Sequence, residues 1–195
     1  EGIVEADVVL MAVGRTARTE IVEDNTIGIT YGKRGIEVDE NMQTSVPHIY
    51  AIGDVNGLCQ LAHAATFQGR RALNHILGRK DNIRFDLIPS AVFTSPQLAS
   101  VGLREEDVTE HKPLVYKSFY RANGRALSMD ADEGFLKILC NEEGRVLGVH
   151  IMGEQASELI HEATVLMNLG GTISQLGDII HAHPTLSEMY RAAVS

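Results

Sequence analysis

Tryptophan is absent from this sequence, and tyrosine and phenylalanine supply only five residues each. Stacking platforms for nucleic-acid bases are built from aromatic faces, so this scarcity argues against a base-binding protein. Positive charge is also in short supply. There are 17 basic residues against 26 acidic ones, a formal net charge of −9, whereas a nucleic-acid footprint is basic and clustered. No run of about 18 apolar residues occurs, so no membrane span is expected. Cysteine is limited to Cys59 and Cys140. These form no CxxC or CxxxxC pair and signal no zinc framework. Two lone thiols fit a reducing compartment, and a cytoplasmic location is expected. No GxGxxG is present, so no complete dinucleotide fingerprint exists in the chain. Nor is there a charged start followed by an apolar core, as a secretory leader has. The chain opens at Glu1 and enters an apolar run within a few residues, and it reads as a piece of something longer.

What is present is ordinary for a globular protein: 44% hydrophobic and 22% charged residues over 195 positions. That length suits one sizeable domain or parts of two. Val8 to Val13 is a short apolar run stopped by Gly14, which predicts a buried parallel strand. Gly28 and Gly32 break a polar stretch, Gly35 to Asp39 alternates like a strand, and Thr44 to Pro47 reads as a turn. Ile49 to Ile52 predicts a second buried strand. A helix is expected from about Leu61 to Leu77, with Gly78 as its stop.

Residues 80–89 read as a linker, and the main boundary is placed near residue 86. Beyond it, strands are expected at 91–93, 98–102 and 113–120, then a hairpin of 134–140 and 146–152. Helices follow at about 155–169, 174–179 and after Pro184. The second half is therefore expected to be α+β, an antiparallel sheet with helices gathered on it. The first 85 residues would be an incomplete α/β portion.

Two constellations could carry chemistry. Ile52-Gly53-Asp54 ends a predicted strand in a glycine and a carboxylate, where open α/β sheets bind ligands. A turn or capping Asp explains the same residues. The block His181-Ala182-His183-Pro184-Thr185-Leu186-Ser187-Glu188 contains a Thr185/Glu188 capping box, which would start a last helix without any enzyme. A capping box does not explain His183, held directly before a proline with a carboxylate one turn on. An imidazole with a carboxylate orienter is the usual acid/base near neutral pH. A metal reading of His181, His183 and Glu188 falls short of the ligands that zinc needs, so no metal is expected. His150 and His161 read as packing or surface residues, and Glu105-Glu106-Asp107 as the first turn of a short helix.

Three segments in order resemble the pyridine nucleotide–disulfide oxidoreductases over essentially the whole chain. They are Ala12-Val13-Gly14-Arg15, then Ile49 to Asp54 followed by Gln60-Leu61-Ala62-His63-Ala64-Ala65 and Gly69, and finally His181 to Glu188. Within the family, His-Ala-His-Pro-Thr with Leu-Ser-Glu behind it is most similar to the branch that oxidises dihydrolipoamide. The resemblance implies FAD and NAD as cofactors. Gly53 and Asp54 would meet the ribityl part of the flavin, Gln60, Leu61, Ala62 and His63 would lie against it, and Gly14 would border the nicotinamide nucleotide. His183 would be the acid/base and Glu188 its partner. Residues 86–195 would form an interface domain that builds a homodimer, with dihydrolipoamide arriving on the lipoyl domain of a 2-oxoacid dehydrogenase complex. The family's redox CxxxxC and both Gly-rich fingerprints are missing, and Arg15 to Thr19 lacks the usual Pro-Asn. The chain alone is therefore expected to be inactive and to hold little FAD. A soluble pyridine nucleotide transhydrogenase is the rival within the family, and a non-catalytic dimerisation module is the rival outside it.

Overall fold

The computed structural model describes residues 2–20, 26–109 and 112–195. The chain divides into two compact units, Glu1–Ile83 and Arg84–Ser195. Among the described residues no helix is long and apolar enough to cross a membrane.

The first unit holds little regular structure. Strands β1 (Tyr31–Gly32) and β2 (Gly35–Ile36) make a minimal antiparallel hairpin. Close approach sets the glycines here: a Cβ on Gly35 would stand 2.2 Å from Val55 O. The expected strand at Val8 to Val13 does not form, and Val8, Leu10 and Val13 are 84%, 88% and 92% exposed. A parallel strand owes its burial to neighbours on both sides, and no described strand of this chain pairs with the run. At Ile49 to Ile52 the outcome is a single bridge, Gln43↔Tyr50, rather than a ladder; Ala51 is buried while Ile52 is exposed. The turn at Thr44 to Pro47 is closed by Ile49 N–H on Val46 O at 2.9 Å.

Helix α1 spans Ala62–Ile76. It ends because Gly78 takes a left-handed φ of +64°. That lets Gly78 N–H reach His75 O and Arg79 N–H reach Asn74 O, the paired bonds that close a helix C-terminus. The stretch after α1 is tied down rather than loose. The guanidinium of Arg71 meets Asp81 at 2.9 Å and donates to Ile83 O, while Asn74 donates to the other Asp81 oxygen.

The second unit is a five-stranded antiparallel sheet of β3 (Ser90–Val92), β4 (Gln97–Gly102), β5 (Leu114–Phe119), β6 (Phe135–Cys140) and β7 (Val146–Gly153). Its strand order is β3-β4-β7-β6-β5. Alternation puts Ala99 and Val101, Leu136 and Ile138, and Val149 and Ile151 on one buried face. Helices cover that face. They are α2 (Gly124–Ser128), α3 (Ala156–Asn168), α4 (Ile173–Asp178) and α5 (Glu188–Val194). From α3 come Leu159, Ile160, Ala163 and Met167, and from α5 Met189, Tyr190 and Ala193. Each fully buried aliphatic side chain contributes about 1.5–3 kcal/mol. This two-layer arrangement is the antiparallel sheet with helices that the pattern predicts. Glu105–Asp107 forms a short 3-10 turn whose Asp107 carboxylate accepts from Arg104 N–H.

The expected capping box at Thr185 and Glu188 is only half made. The Glu188 carboxylate accepts Thr185 N–H at 2.9 Å, but the Thr185 hydroxyl donates to Ala182 O at 2.7 Å. Helix α5 therefore begins at Glu188 itself, behind Ser187. A reciprocal box occurs instead at Thr172 and Gln175, opening α4.

Candidate active site

In the second unit, β5 and α5 position the C-terminal constellation. The hydroxyl of Ser118 on β5 donates to Met189 O at 2.8 Å, fastening α5 to the sheet edge. The Tyr190 hydroxyl, wholly buried, donates to Leu159 O of α3 at 2.7 Å. Asn123 caps α2 through Ala126 N–H and with its amide donates to Thr185 O at 3.0 Å, holding the approach to α5.

Between these holds, Nδ1 of His183 lies 3.0 and 3.2 Å from the two oxygens of Glu188. The His183 side chain is 79% exposed. Its other nitrogen thus faces outward over a groove of about 530 Å³, lined among others by Phe119, Asn123, Glu188 and Arg191. The Thr185 N–H, and then the His183 ring, hold the Glu188 carboxyl below the usual carboxylate range, against a smaller opposing effect of burial. An ionised carboxylate in that place selects the Nδ1–H tautomer and leaves Nε2 free to accept a proton.

His181 turns the other way. Its Nε2 meets Glu162 Oε1 at 2.6 Å. The two imidazoles thus reach different carboxylates. Among the described residues no group of three His, Cys, Asp or Glu side chains could hold a metal ion. His150 lies elsewhere, half-buried on β7 with Nε2 at 3.0 Å from Leu103 O, and burial pushes its pKa down. His161 is exposed on α3.

In the first unit, Gly53 has a φ of +75°, and its N–H donates to the buried Gln68 Oε1 at 2.7 Å. Gln68 also receives Asn56 Nδ2 at 3.0 Å, which fixes the turn at Gly53 to Asn56 onto α1. Asp54 follows with an exposed side chain. Gln60, Ala62 and His63 are exposed at the start of α1, and Leu61 is half-buried as its N-cap without a side-chain hydrogen bond. Gly53, Asp54 and Gln60 to His63 therefore gather around one turn and one helix start. Gly14 is exposed with open space about it. Its neighbour Arg15 takes the Gln60 amide on its carbonyl at 3.5 Å. Sequence reading missed Gln68, Asn56, Asn123 and Glu162. Their partners lie 12 to 62 residues away, and no local spacing announces them.

Comparison with known proteins decides the family. Residues 88–194 match the pyridine nucleotide-disulphide oxidoreductase dimerisation domain, and residues 1–69 match the same family's pyridine nucleotide-disulphide oxidoreductase domain. The chain belongs to the pyridine nucleotide-disulphide oxidoreductase family. It is 40% identical to the dihydrolipoyl dehydrogenase of Chlamydia muridarum over 192 residues, covering 96% of this chain and 41% of that protein. It is likewise 40% identical to the mitochondrial dihydrolipoyl dehydrogenase of Pisum sativum, covering 98% of this chain and 39% of that one. Among solved structures, LpdA from Mycobacterium tuberculosis superposes with a TM-score of 0.87 at 32% identity, over 95% of this chain and 41% of that one. The HOCl-induced flavoprotein disulfide reductase RclA from Escherichia coli superposes with a TM-score of 0.85 at 28% identity, over 94% and 43%. The chain spans about two fifths of the length of these relatives. The second unit is thus this family's dimerisation fold, and the outward imidazole of His183 stands on it.

Proposed function

We propose that the chain supplies the His/Glu acid–base pair and the dimer-forming domain of a flavoprotein that oxidises dihydrolipoamide with NAD. The observation that carries this reading is the exposed His183 ring, held at 3.0 Å by a Glu188 carboxylate kept ionised by its neighbours. A dithiol attacks a disulfide only as its thiolate. His183 Nε2 takes the S–H proton, the thiolate forms a new S–S bond, and the attacked disulfide breaks to release its far sulfur as a thiolate. The imidazolium is stabilised by Glu188 and later returns the proton. The redox disulfide is not in this chain, because Cys59 and Cys140 are both free and are not spaced as such a pair. In a homodimer built through residues 86–195, the groove beside His183 would face the partner subunit's disulfide, so that each site is shared. Dihydrolipoamide would arrive on a lipoyl domain, and a reducing compartment such as the cytoplasm accommodates the two free thiols.

The residues of the first unit fit a flavin cofactor. Gly53 keeps the seam with α1 open, since a Cβ there would stand 3.2 Å from that of Ala65. Asp54 beside it offers an exposed carboxylate to hydroxyl groups, and Gln60 to His63 offer an exposed helix start. Gly14 would border the nicotinamide nucleotide. A flavin held there would supply a two-electron acceptor for the reduced disulfide and a donor to NAD. The isolated chain, with only part of that cradle, would hold little flavin and show no turnover.

The test is dihydrolipoamide-dependent reduction of NAD by the full-length enzyme and by its His183→Gln variant. A loss of about 100-fold or more in the variant, the scale of acid–base catalysis, is expected. A folded, flavin-loaded enzyme without dithiol turnover would instead point to a transhydrogenase.

A further inference from the structure

Glu162 on α3 and His181, two residues before His183, form a second His–carboxylate pair. The ring of His181 is enclosed: its side chain is 6% exposed, against 79% for His183. A ring so covered is not offered to a substrate. Its second nitrogen, Nδ1, is buried and has no partner among the described residues. This orphan nitrogen bears on the tautomer. With Nε2–H donating to Glu162, a bare Nδ1 leaves only an acceptor unused. The opposite tautomer would bury an Nδ1–H donor with nothing to receive it and set Nε2 against the carboxylate as two acceptors, which costs more.

The surroundings explain what such a pair does. The segment before His183 has few other holds: Ile180 is 96% exposed, and Ala182 is exposed as well. On the far side of His183 the chain is fastened twice, by Asn123 to Thr185 O and by Thr185 N–H to Glu188. On the near side, His181 to Glu162 is the side-chain tie to α3. From α5, Glu188 interacts with His181 and Tyr190 with Glu162. The Tyr190 hydroxyl is already given to Leu159 O, three residues before Glu162. One stretch of α3 thus receives both the segment that carries His183 and the helix that carries Glu188.

We propose that Glu162 and His181 are positioning residues for His183. The His181 ring, donating Nε2–H to Glu162, pins the backbone two residues before His183 to α3, so that the His183 ring meets Glu188 at one fixed angle. The inference rests on the acid–base reading of His183 above.

The experiment uses the full-length enzyme and the variants His181→Leu, His181→Gln and Glu162→Gln. The Leu variant loses the tie, and kcat falls about 10- to 100-fold, the scale of a catalytic group displaced by about an ångström, while KM stays within about twofold. The acid limb of its kcat/KM profile also shifts. The Gln variant keeps an N–H at similar reach, and kcat returns to within about threefold of wild type. Glu162→Gln keeps an acceptor without the charge and falls between the two. Equal losses in the Leu and Gln variants with an unmoved pH profile would overturn the positioning role, as would a loss confined to KM or to flavin content. Independently of turnover, long-range 1H–15N correlation on histidine-labelled enzyme at about pH 7 reports the tautomer. A proton on Nε2 of His181 is expected, and a ring protonated on Nδ1 alone overturns the assignment. If wild type shows no dithiol turnover, the acid–base reading of His183 fails and the positioning role with it. The spectrum still tells whether the pair forms.

Discussion

Replacing Glu188 by glutamine leaves the shape of the side chain almost unchanged but should damage the site severely, for a reason visible in its hydrogen bonds. The wild-type carboxylate accepts two donors, Thr185 N–H at 2.9 Å and the His183 Nδ1–H at 3.0 and 3.2 Å. An amide has one accepting oxygen and one donating nitrogen. The backbone N–H of Thr185 cannot change its role, so it claims the oxygen. The amide NH2 then faces His183 Nδ1, which must become an acceptor. That places the ring proton on Nε2, the nitrogen that takes a proton from the substrate in the proposed reaction. The substitution therefore inverts the tautomer as well as removing the charge that supports the imidazolium. The expected loss in kcat/KM is about 10²- to 10⁴-fold, the upper end being the effect of the same inversion in a Ser-His-Asp triad. Dihydrolipoamide-dependent NAD reduction across pH measures it. In wild type the Glu188 carboxyl, already below the ordinary carboxylate range, stays ionised throughout the range in which an imidazole titrates. The sign follows from the lowered value. The stabilisation that Glu188 gives the pair is complete above the usual carboxylate pKa and disappears only as pH falls through the depressed one. Activity lost on the acid side therefore reports the ring and not the carboxyl. A Glu188→Gln enzyme within threefold of wild type would show that this carboxylate does not set the tautomer.

Two further outcomes test the packing. Gly153→Ala places a Cβ 2.3 Å from the Tyr120 ring at a φ of +149°. Tyr120 is fully buried and held by its hydroxyl to Glu154 O, so a loss of about 3 kcal/mol or more in urea denaturation is expected from overpacking and backbone strain together; a change below about 1 kcal/mol would contradict it. Burial pushes the Cys140 thiol up to about 11, whereas Cys59 is only half-buried. A thiol reagent at neutral pH should therefore label Cys59 first and Cys140 only on unfolding, and mass spectrometry of the peptides shows the order.

The residues themselves determine what depends on near neighbours. Leu136 and Ile138 alternate inward on β6, Gly78 and Gly170 end their helices in left-handed conformations, and His183 lies five residues from Glu188, so strand, helix end and the hydrogen-bonded His183–Glu188 pair all read from local spacing. The glycines are legible because no other residue adopts those backbone angles so readily. Even near the chemistry, though, local pattern is incomplete. Thr185 has the spacing of a capping box, yet gives its hydroxyl to Ala182 O. The five-residue helix α2 opens on Gly124, a poor helix former, and the sequence pattern predicts no helix there.

Tertiary structure alone decides the long-range holds. Glu162 reaches His181 across 19 residues, Gln68 reaches Gly53 across 15, and Ser118 reaches Met189 across 71. None of these follows from periodicity: Glu162–His181 and Ser118–Met189 need the strand order β3-β4-β7-β6-β5 with helices laid on one face, and Gln68–Gly53 needs α1 packed back on the turn before it. The run Val8 to Val13 makes the same point in reverse. Its residues have the character of a buried strand, but burial is conferred by neighbours, and without pairing strands among the described residues the run stays open to solvent.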